Sequence, residues 1–226
     1  MKHFFKKNIS FVTILAFLFC LYFLFAPEKC KFDPLLMNFI YTVSISIIAA
    51  CIFYIFNIFL PEQKRKTIIK QDFEDQYLNF KKECIFIFLS VFTNSIDTKL
   101  VQKLCDLDEF KEYFKEKCGN AQIRWDKVAT ELDCNKILLK DMLVQLNILR
   151  NEVAFILNNT EINDKNVLSF FKLLSQKVYS HREKGINIEY DEKNALLDFL
   201  WQLFTGWSFK DGYREEDIVK IMIQKI

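Results

Sequence analysis

Two long stretches without a charged residue dominate the N-terminal part of the chain. The first runs from Ile9 to Ala26 and the second from Leu35 to Leu60. A helix needs about 20 residues to cross the hydrocarbon core of a bilayer, and both stretches are of that order of length. Because no water pairs with backbone groups in that core, two such spans form a helical hairpin rather than strands. The pattern therefore predicts two transmembrane helices, over about 9–26 and 35–60, in an N-terminal region of residues 1–61.

Prolines stand at the borders of the predicted spans. Pro27 follows the first span, Pro34 precedes the second and Pro61 ends it. At such borders the missing N–H group and the clash with the preceding turn are tolerated. A cleaved signal peptide fits the first span poorly, because no small-x-small cleavage site follows Phe25 and a second long span comes soon after.

Seven basic residues flank the two spans on one side of the predicted hairpin: Lys2, Lys6, Lys7, Lys64, Arg65, Lys66 and Lys70. Cytoplasmic segments beside membrane spans carry an excess of Lys and Arg, so both termini are expected in the cytoplasm. The four basic residues that follow the second span also lie where they would touch anionic lipid headgroups. Ordinary determinants of topology account for them better than a specific lipid site does.

One face of the second span carries small residues. Thr42, Ser46 and Ala50 recur at steps of four and line a stripe along which another helix can approach closely. Two interpretations stay open: the stripe packs on the first span within one hairpin, or it joins several hairpins into a homo-oligomer. Neither span contains an Asp, Glu, Lys, Arg or His, the residue types that mark ion pathways. The pattern therefore does not favour a transporter or a pump.

Beyond residue 61 the apolar residues follow helical periodicity. They recur at steps of three and four and predict one long helix from about Gln63 to Val91. Its apolar face consists of Ile69, Phe73, Tyr77, Phe80, Cys84, Ile87 and Val91. Glycine is absent from Pro61 to Gly119, so nothing interrupts this helix.

Acidic residues mark the predicted starts of most later helices: Asp97, Asp108, Asp133, Asp164 and Asp191. The second of these helices is expected to end at Gly119 and the fifth at Gly206. A last helix is expected from about Arg214 to Lys225, and the short extended segment 186–190 is assigned to a loop. The prediction for residues 62–226 is a cytoplasmic helical bundle, and the whole chain is predicted to be all-α.

Composition and charge agree with this division. The chain is 51% hydrophobic and has a formal net charge of +2. Residues 61–226 contain 26 Lys and Arg and 27 Asp and Glu, so the positive excess belongs to the membrane end. A domain with a net charge of −1 has no bulk attraction for nucleic acid, and no sequence-specific binding of nucleic acid is expected.

The sequence has no recognisable pattern of catalytic or metal-binding residues. Its seven cysteines show no paired spacing, its histidines are limited to His3 and His181, and it has no glycine-rich phosphate loop. We therefore expect no catalytic residue, no cofactor and no metal, and we expect the cysteines other than the outward-facing Cys30 to be buried thiols.

One segment near the C-terminus is rich in aromatic residues. Trp, Tyr and Arg dominate protein interfaces, which makes this segment a candidate partner-binding surface. The candidate residues are Trp201, Trp207, Phe209, Tyr213 and Arg214. Aromatic residues also fill protein cores, so closing the bundle beneath the last helix is the alternative.

Two segments resemble the two-transmembrane effectors of retron anti-phage systems. They are the junction FLPEQKRKTIIKQDFEDQYLNFKKECIFIFL at Phe59–Leu89 and the ending FLWQLFTGWSFKDGYREEDIVKIMI at Phe199–Ile223, together with the Lys-flanked hairpin. The resemblance implies a hairpin anchor in the bacterial inner membrane and a helical cytoplasmic domain. It transfers no catalytic residue to this chain.

The resemblance also implies a partner and a mode of action. Effectors of this family are encoded beside a reverse transcriptase that makes a branched RNA–DNA hybrid, and that complex restrains them. When a phage inhibits the host RecBCD nuclease, the effector damages the inner membrane and the cell dies. Two function classes are therefore open: a membrane-disrupting toxic effector, and a passive anchor that holds a cytoplasmic protein partner at the membrane. The residues alone favour both equally.

Overall fold

The computed structural model of the chain is predominantly helical. It describes residues 34–119, 122–183, 190–208, 212–213 and 216–226. The first predicted span and residues 186–189 of the predicted loop lie outside the described residues. Within the described part the all-α prediction is confirmed, because the strands there are four of two residues each, joined in two pairs. The chain divides into two compact units, Met1–Ile68 and Ile69–Ile226.

The described part of the first unit is one apolar helical stretch. Helix α1 spans Pro34–Tyr54, a π-helical turn follows at Ile55–Phe59, and helix α2 spans Leu60–Ser90. Pro34 takes the first position of α1, where its missing N–H would have no partner in any case. The extent of α2 confirms the long helix predicted from about Gln63 to Val91.

Helical backbone continues through Pro61, which the sequence pattern places at the end of the second span. Pro61 is the second residue of α2, directly after the π turn. At the end of that turn Leu60 donates its N–H to the carbonyl oxygen of Ile55, five residues earlier, whereas an α-helix bonds four residues back. Where the two bonding patterns meet, the missing N–H of a proline removes little hydrogen-bond energy. The helix therefore continues through Pro61.

The second unit adds short and medium helices and two small hairpins to α2. In chain order they are α3 Thr98–Lys103, α4 Leu107–Lys115, β1 Lys117–Cys118, β2 Gln122–Ile123, α5 Arg124–Cys134, α6 Lys136–Asn159, α7 Lys165–Glu183, α8 Tyr190–Phe204, β3 Trp207–Ser208, β4 Gly212–Tyr213 and α9 Ile218–Gln224. Strands β1 and β2 pair antiparallel, as do β3 and β4. Helix α6 packs along α7, and α5 packs against both α6 and α8.

Several predicted helix boundaries are confirmed. Asp97 caps α3 by accepting the N–H of Lys99 at 2.9 Å, and Asp164 accepts the N–H of Asn166 at 2.7 Å at the start of α7. Helix α8 ends shortly before Gly206, which has a φ of 85° in the left-handed region that glycine adopts freely.

The start predicted near Asp108 is confirmed, with Asp106 as the cap, and the cap predicted at Asp133 is wrong by two residues. Helix α4 is capped by Asp106, whose Oδ1 accepts the N–H of Asp108 at 3.0 Å. Helix α6 is capped by Asn135, whose Oδ1 accepts the N–H of Ile137 at 3.0 Å, and Asp133 lies in the last turn of α5. Each true cap has extended backbone, which a residue still inside a helix does not have.

Three further expectations are wrong. The helix predicted to end at Gly119 ends at Lys115, and Gly119, with a φ of 62°, stands between β1 and β2. Helix α5 is absent from the prediction, because its N-cap Ile123 makes no side-chain hydrogen bond and offers no capping side chain. Helix α9 begins at Ile218 rather than near residue 214.

An aromatic core ties α2 to the other helices of the second unit. The ring centroid of Phe88 lies 5.4 Å from Trp125, 5.6 Å from Phe204, 5.9 Å from Phe114 and 6.1 Å from Phe110, in edge-to-face geometry. Such pairs add stability to that of the buried area itself. The apolar face predicted for α2 is therefore the centre of the bundle.

Candidate functional site

Helix α1 and the π turn expose large apolar side chains. Phe39, Phe53 and Phe56 are 66%, 64% and 65% exposed. Among the described residues, the helical stretch Asn38–Ser90 contains a window long and apolar enough to cross a membrane, and 6% of that window is buried. By length and composition this stretch qualifies as a membrane-spanning helix.

Thr42, Ser46 and Ala50 lie on one exposed face of α1. The hydroxyl of Thr42 donates to the carbonyl oxygen of Asn38 at 2.9 Å, and the hydroxyl of Ser46 donates to that of Thr42 at 3.0 Å. At about 100° per residue, the least exposed side chains of α1 fall on the opposite face. They are Ile40, Ser44, Ile47, Ile48 and Cys51. The stripe of small residues is thus separate from the covered face of this helix.

The basic residues after the span differ in their surroundings. Lys64 and Arg65 are exposed and Lys66 is half-buried in the first unit. Lys70 belongs to the second unit, where its Nζ donates to the carbonyl oxygen of Gln224 in α9. Lys70 therefore has a structural contact that the sequence pattern does not reveal.

A buried ion pair joins α2 to the start of α9. Lys81 is 4% exposed; its Nζ lies 3.1 Å from Oδ2 of Asp217 and donates to the carbonyl oxygen of Cys105 at 2.6 Å. The hydroxyl of Tyr77, one turn earlier in α2, donates to Oδ1 of Asp217 at 3.0 Å. Asp217 also caps α9 by accepting the N–H of Lys220 at 3.1 Å. These bonds supply the partners that buried charges require.

Burial controls the protonation of the groups around this pair. Burial, and then the charge and hydrogen bond of Asp217, raises the pKa of Tyr77 well above its usual value, so the phenol stays protonated and donates. Burial also raises the pKa of Cys84 well above its usual value, and it raises the pKa of Cys105 against the opposing effect of Lys81. A reactive cysteine needs a lowered pKa, so neither thiol is activated as a nucleophile.

A cleft of about 220 Å³ opens beside the ion pair. Glu74 and Asp75 line it from α2, and Lys220 and Ile223 line it from α9. Pockets for drug-sized molecules usually begin at about 300 Å³. Within the described part of the chain, no group of three or more His, Cys, Asp or Glu residues is placed to hold a metal. This arrangement holds α9 on α2.

Helix α9 is fastened to α2 at both of its ends. Asp217 engages Lys81 at the start, and Lys70 engages Gln224 at the end. Between them, four apolar side chains of α9 enter the core: Ile218, Val219, Met222 and Ile223. Apolar burial therefore supplies most of the contact, and the polar bonds fix its position.

The sequence gives one weak signal for this ion pair. Lys81 falls on the apolar stripe of α2, four residues after Tyr77 and three before Cys84, where a charged residue needs a partner. Nothing local identifies Asp217 as that partner, because an acidic residue at a helix start is already explained by the cap and the helix dipole.

The aromatic segment near the C-terminus is described only in part. Trp201 is half-buried, and its ring centroid lies 5.0 Å from Trp125 and 6.0 Å from Phe110. This position corresponds to the core alternative for Trp201. Trp207 and Tyr213 are backbone partners in the β3–β4 pair. Phe209 and Arg214 lie outside the described residues.

The expectation that the cysteines are buried holds only in part among the described residues. Cys84 is buried, Cys51, Cys105 and Cys118 are intermediate, and Cys134 is exposed, all as free thiols.

Comparison of the chain with protein-family models, with curated proteins and with solved structures found no match.

Proposed function

We propose that this protein is a membrane-anchored toxic effector that a reverse transcriptase carrying an RNA–DNA hybrid holds inactive in healthy cells. On activation it disrupts the bacterial inner membrane, and the infected cell dies before the phage spreads. The anchor is a helical hairpin over about 9–26 and 35–60 with both termini in the cytoplasm. Residues 62–226 form the cytoplasmic domain on which the restraint acts.

The outward placement of aromatic residues on α1 carries this proposal. A water-soluble helix buries such residues, whereas Phe39, Phe53 and Phe56 are about two-thirds exposed. Helix α1 has 21 residues and the π turn has 5. At about 1.5 Å per residue, their combined length exceeds the roughly 30 Å of a hydrocarbon core. Lipid is the solvent in which this arrangement is stable.

We assign the buried polar groups of the second unit a structural role rather than a chemical one. Lys81 and Asp217 neutralise each other, Tyr77 keeps its proton, and Cys84 is a buried thiol with a raised pKa. The effector character itself rests on the resemblance to the retron effectors. Because residues 61–226 have a net charge of −1, the restraint is expected to be a protein contact rather than direct binding of nucleic acid.

Membrane damage requires more than an anchor, and the stripe of small residues suggests how several copies assemble. Thr42, Ser46 and Ala50 are exposed and allow close approach of a second helix. Ser46→Leu removes that approach at a cost of roughly 1 kcal/mol per contact in lipid. Ile45→Leu, one residue away on an exposed position, is the matched control because it keeps side-chain volume and polarity.

The test is inducible expression of the full chain in bacteria, with and without the neighbouring reverse transcriptase and its RNA. A potential-sensitive dye and propidium uptake measure membrane integrity. We expect depolarisation by the chain alone, protection by the reverse transcriptase complex, weaker depolarisation by Ser46→Leu and no change with Ile45→Leu.

An intact membrane potential in cells that contain the chain in the membrane fraction would favour the passive anchor instead. In that case the chain would recruit its partner to the membrane, and fractionation of the reverse transcriptase with and without the chain would reveal it. Equal depolarisation by Ser46→Leu and the parent would place assembly on another face.

A further inference from the structure

A second apolar stripe runs along α6, on the side that faces away from the core. Ile137, Val144, Ile148 and Phe155 are 72%, 47%, 40% and 45% exposed. At about 100° per residue all four point within roughly 20° of one direction. The buried residues of α6 point the opposite way, so packing among the described residues does not explain the stripe. They are Leu139, Met142, Leu143, Leu146, Leu149, Val153 and Ile156.

The stripe follows an eleven-residue repeat. Ile137 and Ile148 are eleven residues apart, and so are Val144 and Phe155. Eleven residues complete three turns at about 3.67 residues per turn, which keeps one seam facing a partner helix along its whole length. Scattered surface residues have no such period, so the pattern indicates a helix–helix seam.

Polar residues at the two edges of the stripe follow the same repeat. Lys140 and Asn151 lie on one edge, and Asp141 and Glu152 lie on the other, again eleven residues apart. Within the described residues, neither Lys140 nor Asp141 takes part in a salt bridge. One edge thus offers a cation and an amide, and the other offers two carboxylates.

We propose that α6 is a self-association surface on which a second copy of this chain binds in parallel through the same stripe. A two-fold axis along α6 places the Lys140–Asn151 edge of one copy against the Asp141–Glu152 edge of the other. Lys140 then faces Asp141 of the second copy, and Asn151 donates to Glu152, each contact occurring twice. Polar layers between apolar ones fix the register of such a pair.

The charges along the two edges of the stripe argue against an antiparallel pair and against a lipid surface. In an antiparallel pair like edges meet, so Asp141 faces Glu152 of the second copy and two carboxylates repel each other. A lipid surface favours Lys and Arg along both edges of an apolar stripe, whereas one edge here is acidic. This inference concerns the second unit and does not depend on the proposed membrane activity.

Cysteine crosslinking of the full chain in detergent micelles tests the direction of pairing. In a Cys134→Ser background, which removes an exposed thiol, Ile137→Cys should form a disulfide dimer because a parallel pair brings the two copies of residue 137 together. An antiparallel pair separates them by about 27 Å, at 1.5 Å per residue. Lys172→Cys, at an exposed position of α7, is the control and should remain monomeric.

Charge reversal tests the register. Lys140→Asp should weaken dimerisation at least tenfold in sedimentation measurements, and Lys140→Asp with Asp141→Lys should restore it, because the exchange recreates both cross-pairs. Val144→Glu should abolish the dimer, with circular dichroism showing that the helix content is kept.

Three results would overturn the proposal. They are a monomeric parent chain, crosslinking of Ile137→Cys only to Phe155→Cys, which means an antiparallel pair, and crosslinking of Ile137→Cys to a different protein.

Discussion

Phenylalanine has opposite placements in the two units of this molecule. Phe53 in the first unit is 64% exposed, whereas Phe88 in the second is fully buried among four aromatic rings. Burying such a side chain is favourable only relative to water. The contrast agrees with the proposal that α1 lies in lipid, where an exposed ring carries no penalty.

Polar groups differ between the units in the same sense. In α1 and the π turn, Thr42, Ser46 and Asn57 donate to carbonyl oxygens four residues earlier in the same helix. The second unit has such local bonds too, as at Thr130, but its Tyr77 and Lys81 also bond to Asp217, far along the chain. A helix in lipid has to satisfy its polar groups locally, whereas a helical bundle can also use them to join distant segments.

The largest expected effect comes from removing an aromatic ring in the second unit. Phe88→Ala should lower the free energy of unfolding by about 3–5 kcal/mol, because it leaves a cavity among close-packed rings. Urea unfolding of the full chain in detergent, followed by tryptophan fluorescence, measures it. Phe53→Ala is the matched control and should change the same transition by less than about 0.5 kcal/mol. Similar losses in both variants would mean that the two units do not differ as described.

Breaking the buried ion pair should have the next largest effect. Asp217→Ala leaves Lys81 buried without its partner and should cost about 3–5 kcal/mol in the same assay. Lys81→Met combined with Asp217→Leu should recover much of that loss, because no unpaired charge remains. Lys103→Met, which breaks the exposed pair with Glu109 at 2.7 Å, should cost less than about 1 kcal/mol. A loss no larger for Asp217→Ala than for Lys103→Met would refute the structural role of the buried pair.

A charge introduced near the middle of the apolar stretch tests the assignment of the first unit to lipid. Ile45→Lys should raise the apparent free energy of insertion by roughly 3 kcal/mol, visible as a smaller membrane fraction. Leu173→Lys is the matched control, because Leu173 is 38% exposed on the second unit, outside the stripe of α6, and should leave the membrane fraction unchanged. If both variants partition like the parent chain, α1 does not lie in the hydrocarbon core.

The smallest effect concerns the start of α6. Asn135→Ala should lower the free energy of unfolding of the second unit by about 1 kcal/mol, because two N–H groups of the first turn lose their acceptor. Asp133→Ala breaks a half-exposed ion pair with Lys193 at 2.6 Å and should cost less than that. A larger loss for Asp133→Ala than for Asn135→Ala would favour Asp133 as the cap, as the sequence pattern predicts.

Periodicity predicts the long elements of this protein better than their ends. The apolar repeat of α2 is continuous enough to define its extent, and the starts of α3 and α7 are predicted although other capping residue types also lie close by. At Asp133 and Asn135 two equally good capping residues compete, and the choice depends on where α5 ends. Helix α5 itself begins without a polar cap, so its apolar spacing and an acidic residue in its first turn are the signals for it.

Local sequence patterns do not predict the contacts that hold α9 on α2, because the residues involved are far apart along the chain. Lys81 and Asp217 are 136 residues apart, and a charged residue on an apolar stripe implies a partner without identifying it. Cys105, whose carbonyl oxygen completes the site, contributes only backbone and leaves no side-chain signal. Such contacts emerge from the tertiary packing of α2, α9 and the segment after α3.

The π turn at Ile55–Phe59 makes this protein tolerant of a one-residue change in chain length. A π turn accommodates one residue more than the α-helical bonding pattern needs. Deleting a single residue there would restore a continuous α-helix and leave α1 facing nearly the same way relative to Leu60–Ile68, because an i→i+5 turn and an i→i+4 turn each complete about one revolution. In homologous chains, a one-residue gap at this position would therefore signal loss of the π turn, with hardly any change in the azimuth or the reach of the apolar helix.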